Sequence, residues 1–184
     1  LENNSDLVAL AQTGTGKTLA FGIPMMQRLA QKGGRGLILV PTRELAVQVH
    51  QNIHKIDSKI KMAVLIGGAS MHNQIQELRH HPKILIATPG RLIDHMGQRT
   101  VSLHDVTILV LDEADRMLDM GFAPQIQQIL RDVPRNRQTM LFSATMPSEI
   151  VRIASSHMKL PIHVEIAKSG TVAEKITQEL FVIK

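Results

Sequence analysis

"ILVLDEAD", residues 108–115, sets an apolar run directly against three acids. Apolar side chains gain by burial, whereas carboxylates resist it. No basic residue occurs in the run before Arg116, so the acids have no counter-charge within it. A buried strand that ends this way has two uses for its acids. They cap a helix that begins at once, or they face a cation.

The rest of the chain repeats the strand. Short β-rich runs at residues 7–10, 36–40, 62–66, 83–87, 106–111, 138–142 and 162–166 alternate with amphipathic stretches at 17–31, 43–57, 71–80, 90–96, 124–132 and 147–158. Several of the strands are apolar throughout, which suits a parallel sheet covered on both faces. The alternation predicts a doubly wound α/β domain with helices on both faces of a mainly parallel sheet. Ligands in such sheets bind at the carboxyl ends of the strands, and that is where the unusual residues fall. We divide the chain into one domain, residues 1–168, and a tail, 169–184, whose "ITQELFVIK" carries an uncertain strand.

The composition bounds the function. A chain of 184 residues with 43% apolar and 20% charged residues reads as one globular domain rather than a disordered one. A net charge of +5 mildly favours an anionic partner. Aromatics are 2% of residues, with no Trp and no Tyr, so stacking platforms for bases are not expected. Any nucleic acid is therefore held by its phosphates. The absence of cysteine excludes disulfides and thiolate zinc sites, and fits a reducing, cytoplasmic setting. No apolar stretch approaches the ~20 residues of a membrane-spanning helix. The chain opens on Leu1 and enters a strand almost at once, so we expect a monomeric piece cut from a longer protein.

"AQTGTGKT", residues 11–18, follows the first strand and opens the first long helix. The phosphate-binding P-loop pattern is Gly, four residues, then Gly-Lys-Ser/Thr. Gly16, Lys17 and Thr18 match, but Ala11 stands where the first Gly belongs. Gln12, Thr13, Gly14 and Thr15 complete the candidate cradle for ATP. Its glycines let backbone N–H groups turn inward, and the helix N-terminus adds partial positive charge. Lys17 can reach terminal phosphates, and the Thr18 hydroxyl can ligate Mg²⁺. The alternative is a ligand-free glycine-rich turn. A P-loop also needs a second strand that presents an acid to the metal. Asp112 suits that role, and Glu113 beside it is placed to polarise a water. Capping remains open for both acids and is compatible with catalysis.

Four further stretches end strands: "PTRELA" (41–46), Gly67-Gly68, "TPGR" (88–91) and "SAT" (143–145). With "AQTGTGKT" and "DEAD" in this order, the chain resembles the DEAD-box RNA helicase family. The resemblance runs from Leu7 to the tail. It implies a RecA-like first lobe of a two-lobe, ATP-dependent RNA-remodelling enzyme. Asp112 would then hold Mg²⁺ through water, and Glu113 would position the attacking water. Ser143 and Thr145 of "SAT" would bind Asp115 and couple hydrolysis to strand separation. Pro41, Thr42, Arg43, Gly68, Thr88, Gly90 and Arg91 would hold the RNA backbone, without reading sequence. Arginines supply bidentate donors for phosphates, which agrees. Read without the resemblance, Thr42 and Thr88 are better taken as helix caps and the arginines as solvated. The family's adenine-recognition segment and its second lobe, with arginine fingers, fall outside the pattern seen here. We therefore expect this piece alone to be inactive, with the second lobe of the same parent as its partner.

Two other readings compete: a P-loop kinase or metabolic NTPase, for which no arginine-bearing lid is evident, and a non-catalytic RNA-binding scaffold. "HQNIH" sets His50 and His54 four apart, a zinc-ligand spacing, but without a third ligand a solvated helix face is preferred. Met25, Met26, Met117 and Met120 read as core filler. Gly22 and Pro24 predict a kink in the first helix, and His80-His81 beside Pro82 the end of the third.

Overall fold

The computed structural model describes residues 5–12 and 16–165. Thr13, Gly14 and Thr15 of the cradle, and the 169–184 tail, lie outside the described residues.

The chain alternates as β1(Leu7–Leu10), α1(Lys17–Lys32), β2(Arg35–Leu39), α2(Arg43–Ile56), β3(Met62–Leu65), α3(Met71–Arg79), β4(Ile84–Ala87), α4(Pro89–Gly97) and β5(Val106–Leu111). It continues with α5(Ala114–Asp119), α6(Ala123–Asp132), β6(Gln138–Ser143), α7(Ser148–His157) and β7(Ile162–Glu165). All seven strands are parallel, in the order β3-β4-β2-β5-β6-β1-β7. The doubly wound sheet is thus observed, with strand ends within a residue or two of expectation.

Alternation along the strands explains why both faces are apolar. In β2, Leu37 and Leu39 join one core cluster, which α4, α5, α6 and α7 close with Leu92, Met117, Ile129 and Ile153. Ile38 and the following Val40 join the other, closed by α1 and α2 through Phe21, Met25, Val49 and Ile53. Successive side chains point to opposite faces, so a strand covered twice must be apolar at every position. Burying each such side chain is worth roughly 1.5–3 kcal/mol.

One expectation needs correction. Met120 is not core: it is 48% exposed, whereas Met25 and Met117 are fully buried. The reason is position, because Met120 caps the short α5 just before a turn at Gly121, whose φ is +81°. The six residues after "DE" form α5 itself, too short for a periodic pattern to reveal. The first helix runs through Pro24 from Lys17 to Lys32 without interruption. At the other end of α3, His80 is the C-cap and His81 turns to positive φ.

Candidate nucleotide site and nucleic-acid interface

The strand order sorts the motifs in space. β5, β6 and β1 are consecutive in the sheet, and their carboxyl ends lead into Asp112, Ser143 and Ala11. β3, β4 and β2 form the other side, and their ends lead into the Gly67-Gly68 loop, Thr88 and Thr42. Motifs that alternate along the chain thus separate into two neighbouring groups on one edge. An Asp112 N–H bond to the Leu39 carbonyl, 2.9 Å, joins them.

In the first group, Lys17 begins α1 and its Nζ lies 3.7 Å from Asp112 Oδ1 and 3.4 Å from the Ala11 carbonyl. Gly16 precedes it with φ +81°, a left-handed conformation that glycine adopts at low cost. Asp112 is 2% exposed. Burial pushes its carboxyl above the ordinary value, and Lys17 offsets this only in part. Glu113 occupies the N-cap position of α5 but makes no side-chain cap bond. Its carboxylate instead meets Arg116 at 3.2 Å. Its φ of +51° is uncommon for a residue with a Cβ and costs of order 1–3 kcal/mol. These acids border a cavity of about 400 Å³ with Lys17 and Thr18. Leu45, Gln48, Asn52 and Ile56 of α2 line its other side. Sequence reasoning missed that wall, although the four residues lie on one helical face at spacings of three and four.

Asp115 locks the "SAT" turn. Its Oδ2 accepts from Thr145 Oγ1 at 2.9 Å, from Thr145 N at 2.9 Å and from Ala144 N at 3.2 Å. Its own N–H donates to Ser143 Oγ at 3.2 Å. Burial raises the Asp115 pKa, but the bonds from Thr145, Arg116 and Ser143 outweigh it and the net direction is down.

In the second group, the Thr42 hydroxyl accepts from Leu45 N at 3.2 Å and caps α2, leaving its own O–H free to donate. Thr88 is the N-cap of α4 but makes no cap bond. Gly68 sits at φ +74°, and a Cβ built there would overlap the Arg43 guanidinium, which lies across the Gly67-Gly68 loop. Arg91 Nη1 donates to the Ala69 carbonyl at 3.0 Å, while its buried Nε makes no hydrogen bond and lies 3.6 Å from Asp94 Oδ2, an ion pair within α4. Pro41, Thr42, Arg43, Gly67, Thr88, Gly90 and Arg91 line one cavity of about 500 Å³, with the acids Glu44 and Asp94 also on its wall. Met120 and Phe122, which sequence reasoning did not place there, add an apolar wall. A buried relay braces the loop from below. Gln74 Nε2 donates to the Ile66 carbonyl at 2.9 Å, and its Oε1 meets His95 Nε2 at 3.0 Å. His95 Nδ1 in turn meets Thr100 Oγ1 at 2.8 Å. Away from both groups, the His50 and His54 rings stack at 6.0 Å on α2.

The model of the DEAD/DEAH box helicase family matches residues 1–153. The chain belongs to that family. Among its relatives, the DEAD-box ATP-dependent RNA helicase CshA of Bacillus subtilis is 46% identical over 93% of this chain. The ATP-dependent RNA helicase CshA of Listeria monocytogenes is 45% identical over 96%. The chain spans only 36% and 35% of these relatives' lengths. Among solved structures, a DEAD box protein from Methanococcus jannaschii superimposes with a TM-score of 0.84 at 37% identity, over 90% of this chain and 46% of that one. The yeast DEAD-box splicing factor Prp28 gives 0.85 at 37% identity, over 90% and 42%. The sheet and helices described above are thus the RecA-like fold of DEAD-box helicase domains.

Proposed function

We propose that the chain is the ATP-binding first lobe of an ATP-dependent RNA helicase, in which RNA-stimulated ATP hydrolysis drives local duplex unwinding. The observation that carries this is the partition of one sheet edge. Lys17 with the buried Asp112 and Glu113 lies on one side, a cavity that holds the Arg43 and Arg91 side chains on the other, and Asp115 ties the first to the turn after β6. The names of the relatives support the same reading.

Lys17 and the start of α1 bind the terminal phosphates, where ammonium and helix dipole both favour negative charge. The residues fit Mg²⁺. Asp112 is a buried carboxylate with raised pKa and one cation at 3.7 Å, so it is short of positive charge. Among the described residues no group of three or more His, Cys, Asp or Glu could hold a metal ion. Thr18 and Asp112 alone would then hold it, which suits a cation that keeps several waters and is shared with phosphates. Mg²⁺ bound there would neutralise charge on the phosphate oxygens. Glu113 orients the attacking water once its carboxylate leaves Arg116. Asp115, Ser143 and Thr145 transmit that change to the turn after β6. Pro41, Thr42, Arg43, Gly68, Thr88, Gly90 and Arg91 hold the RNA backbone through its phosphates, independent of sequence. A second lobe of the parent closes on both groups.

The test is Glu113→Gln in the full-length parent, assayed for ATP turnover with and without RNA. Gln keeps the shape but polarises water poorly. Nucleotide binding should persist while RNA-stimulated turnover is lost. Wild-type turnover would reduce Glu113 to a helix terminus.

A further inference from the structure

The strand-amino edge of the sheet carries a second concentration of positive charge. α6 and α7 run antiparallel to the strands, so their C-termini meet the starts of β6 and β7 there. Two adjoining hollows of about 200 and 230 Å³ lie between these elements and share Arg131, Ser156 and His157. Arg152 lines the first; Arg135, Arg137 and Lys159 line the second. Neither hollow is lined by an acid. The acids nearest in sequence, Asp132 and Glu149, lie outside both, and Glu149 reaches Arg152 only at 3.7 Å.

These cations are of two kinds. Arg137 is 8% exposed and structural. It donates to the carbonyls of Val133, Pro134 and His157, and to Thr139 Oγ1. Asp6 braces the same corner by accepting from the backbone N–H groups of Thr139 and Lys159, each at 2.6 Å. Arg131, Arg135 and Lys159 are exposed and form no ion pair among the described residues. The local field is felt by His157, whose pKa burial lowers first and Arg137 and Arg135 lower further. The corner is rigid where Arg137 is buried as a strut, and the unpaired cations around it are exposed and within reach of an anion.

We propose that this basic pole, at the strand-amino edge opposite the cavity of Arg43 and Arg91, binds the phosphate backbone of RNA flanking the segment held there. The proposal goes beyond the function proposed above and rests on it only for the identity of the polyanion. Charge complementarity favours RNA, since its phosphates repeat along the chain and the three unpaired cations line one hollow, with Arg131 extending into the next. Strands of four to six residues separate the two edges by roughly 13–20 Å plus loops. Short RNA therefore fills the first cavity alone, and only longer RNA reaches the pole. No base edge is read, so the effect is independent of sequence.

The experiment compares Arg131→Gln/Arg135→Gln with wild type by fluorescence anisotropy, using the 184-residue chain and RNAs of roughly 6 and roughly 30 nucleotides. Both arginines are exposed, so the melting temperature should not move. Binding of the longer RNA should weaken roughly three- to tenfold, and its log K against log[salt] slope should flatten by about 1.4, from about 0.7 per phosphate. Affinity for the short RNA should stay as in wild type. Equal affinity of both proteins for the longer RNA overturns the proposal, as does equal weakening for both lengths. An arm with Arg43→Ala/Arg91→Ala separates this from the function reading: loss of short-RNA binding there, with the pole variant silent, keeps the function and removes the pole. Loss of polyglutamate binding in the pole variant with RNA binding unchanged identifies an acidic protein partner and likewise overturns it.

Discussion

Lys17 Nζ lies 3.7 Å from Asp112 Oδ1, where a bound phosphate would share the ammonium. Phosphate competes for that ammonium, so Lys17→Ala should weaken ADP binding by roughly 1.5–3 kcal/mol, the worth of a charge-assisted contact. Titration calorimetry checks it, and equal affinity would remove Lys17 from the site. Gly68 argues the same way for RNA. Gly68→Ala would force a side chain into a left-handed position at roughly 1–2 kcal/mol and push the Arg43 guanidinium aside. RNA affinity should fall by more than thermal stability does, because the displaced group is the flexible end of an arginine. Asp115 predicts a pH effect. Its folded pKa lies below the unfolded one, so it stabilises the fold above the ordinary carboxylate value and that stability is lost as pH falls through its folded value. Asp115→Asn should flatten the acid limb of a melting-temperature profile.

Elements show what the sequence could and could not reveal. Continuous apolar runs such as "LILV" and "ILVL" marked buried strands, because a sheet covered on both faces leaves no polar position. Chain order also brought Asp112, Ser143 and Ala11 to strand ends, which made the phosphate site legible. What stayed hidden depended on neighbours. Met120 looks like Met117 in sequence, yet it stands just past the end of α5, where the chain turns at Gly121, and lines the cavity of Arg43 and Arg91 instead of the core. The α2 wall of the nucleotide cavity was hidden because Gln48 and Asn52 read as an ordinary solvated face. The Gln74–His95 relay joins α3 to α4 across 21 residues, and no local pattern signals it. Its position under the Gly67-Gly68 loop gives it a measurable role. Gln74→Ala leaves a buried imidazole and the Ile66 carbonyl without their partner, at about 1–3 kcal/mol. RNA binding should weaken alongside. Burial and then Arg91 lower the His95 pKa below the ordinary 6.5, which favours its neutral form. His50 and His157 shift the same way. The unfolded chain therefore binds more protons just below pH 6.5, and stability should fall as pH drops through that region. Replacing His50 and His157 together, both nearer the surface than His95, should leave only the His95 part of the slope.

At the scale of the whole molecule, the described residues place Lys17, the buried acids and the cavity of Arg43 and Arg91 on one edge; the nucleotide cavity is lined by two cations, Lys17 and Lys55 of α2, and by no arginine. Arg116, the guanidinium beside the acids, is engaged with Glu113 at 3.2 Å. Arg43 and Arg91 lie in the other cavity, across the sheet edge. An arginine finger is worth roughly 10³–10⁵ in rate in related phosphoryl transfers. The 184-residue chain alone should therefore hold nucleotide weakly, RNA more weakly, and hydrolyse ATP negligibly. Adding a second lobe in trans, or fusing it after Lys184, should restore RNA-stimulated turnover on the proposed reading, in which that lobe supplies the guanidinium. A single assay series decides it: ATPase of the chain alone, of the mixture and of the fusion, each with and without RNA. RNA-stimulated turnover by the chain alone would mean that Arg116 swings from Glu113 to the phosphate, and Arg116→Ala would then abolish it.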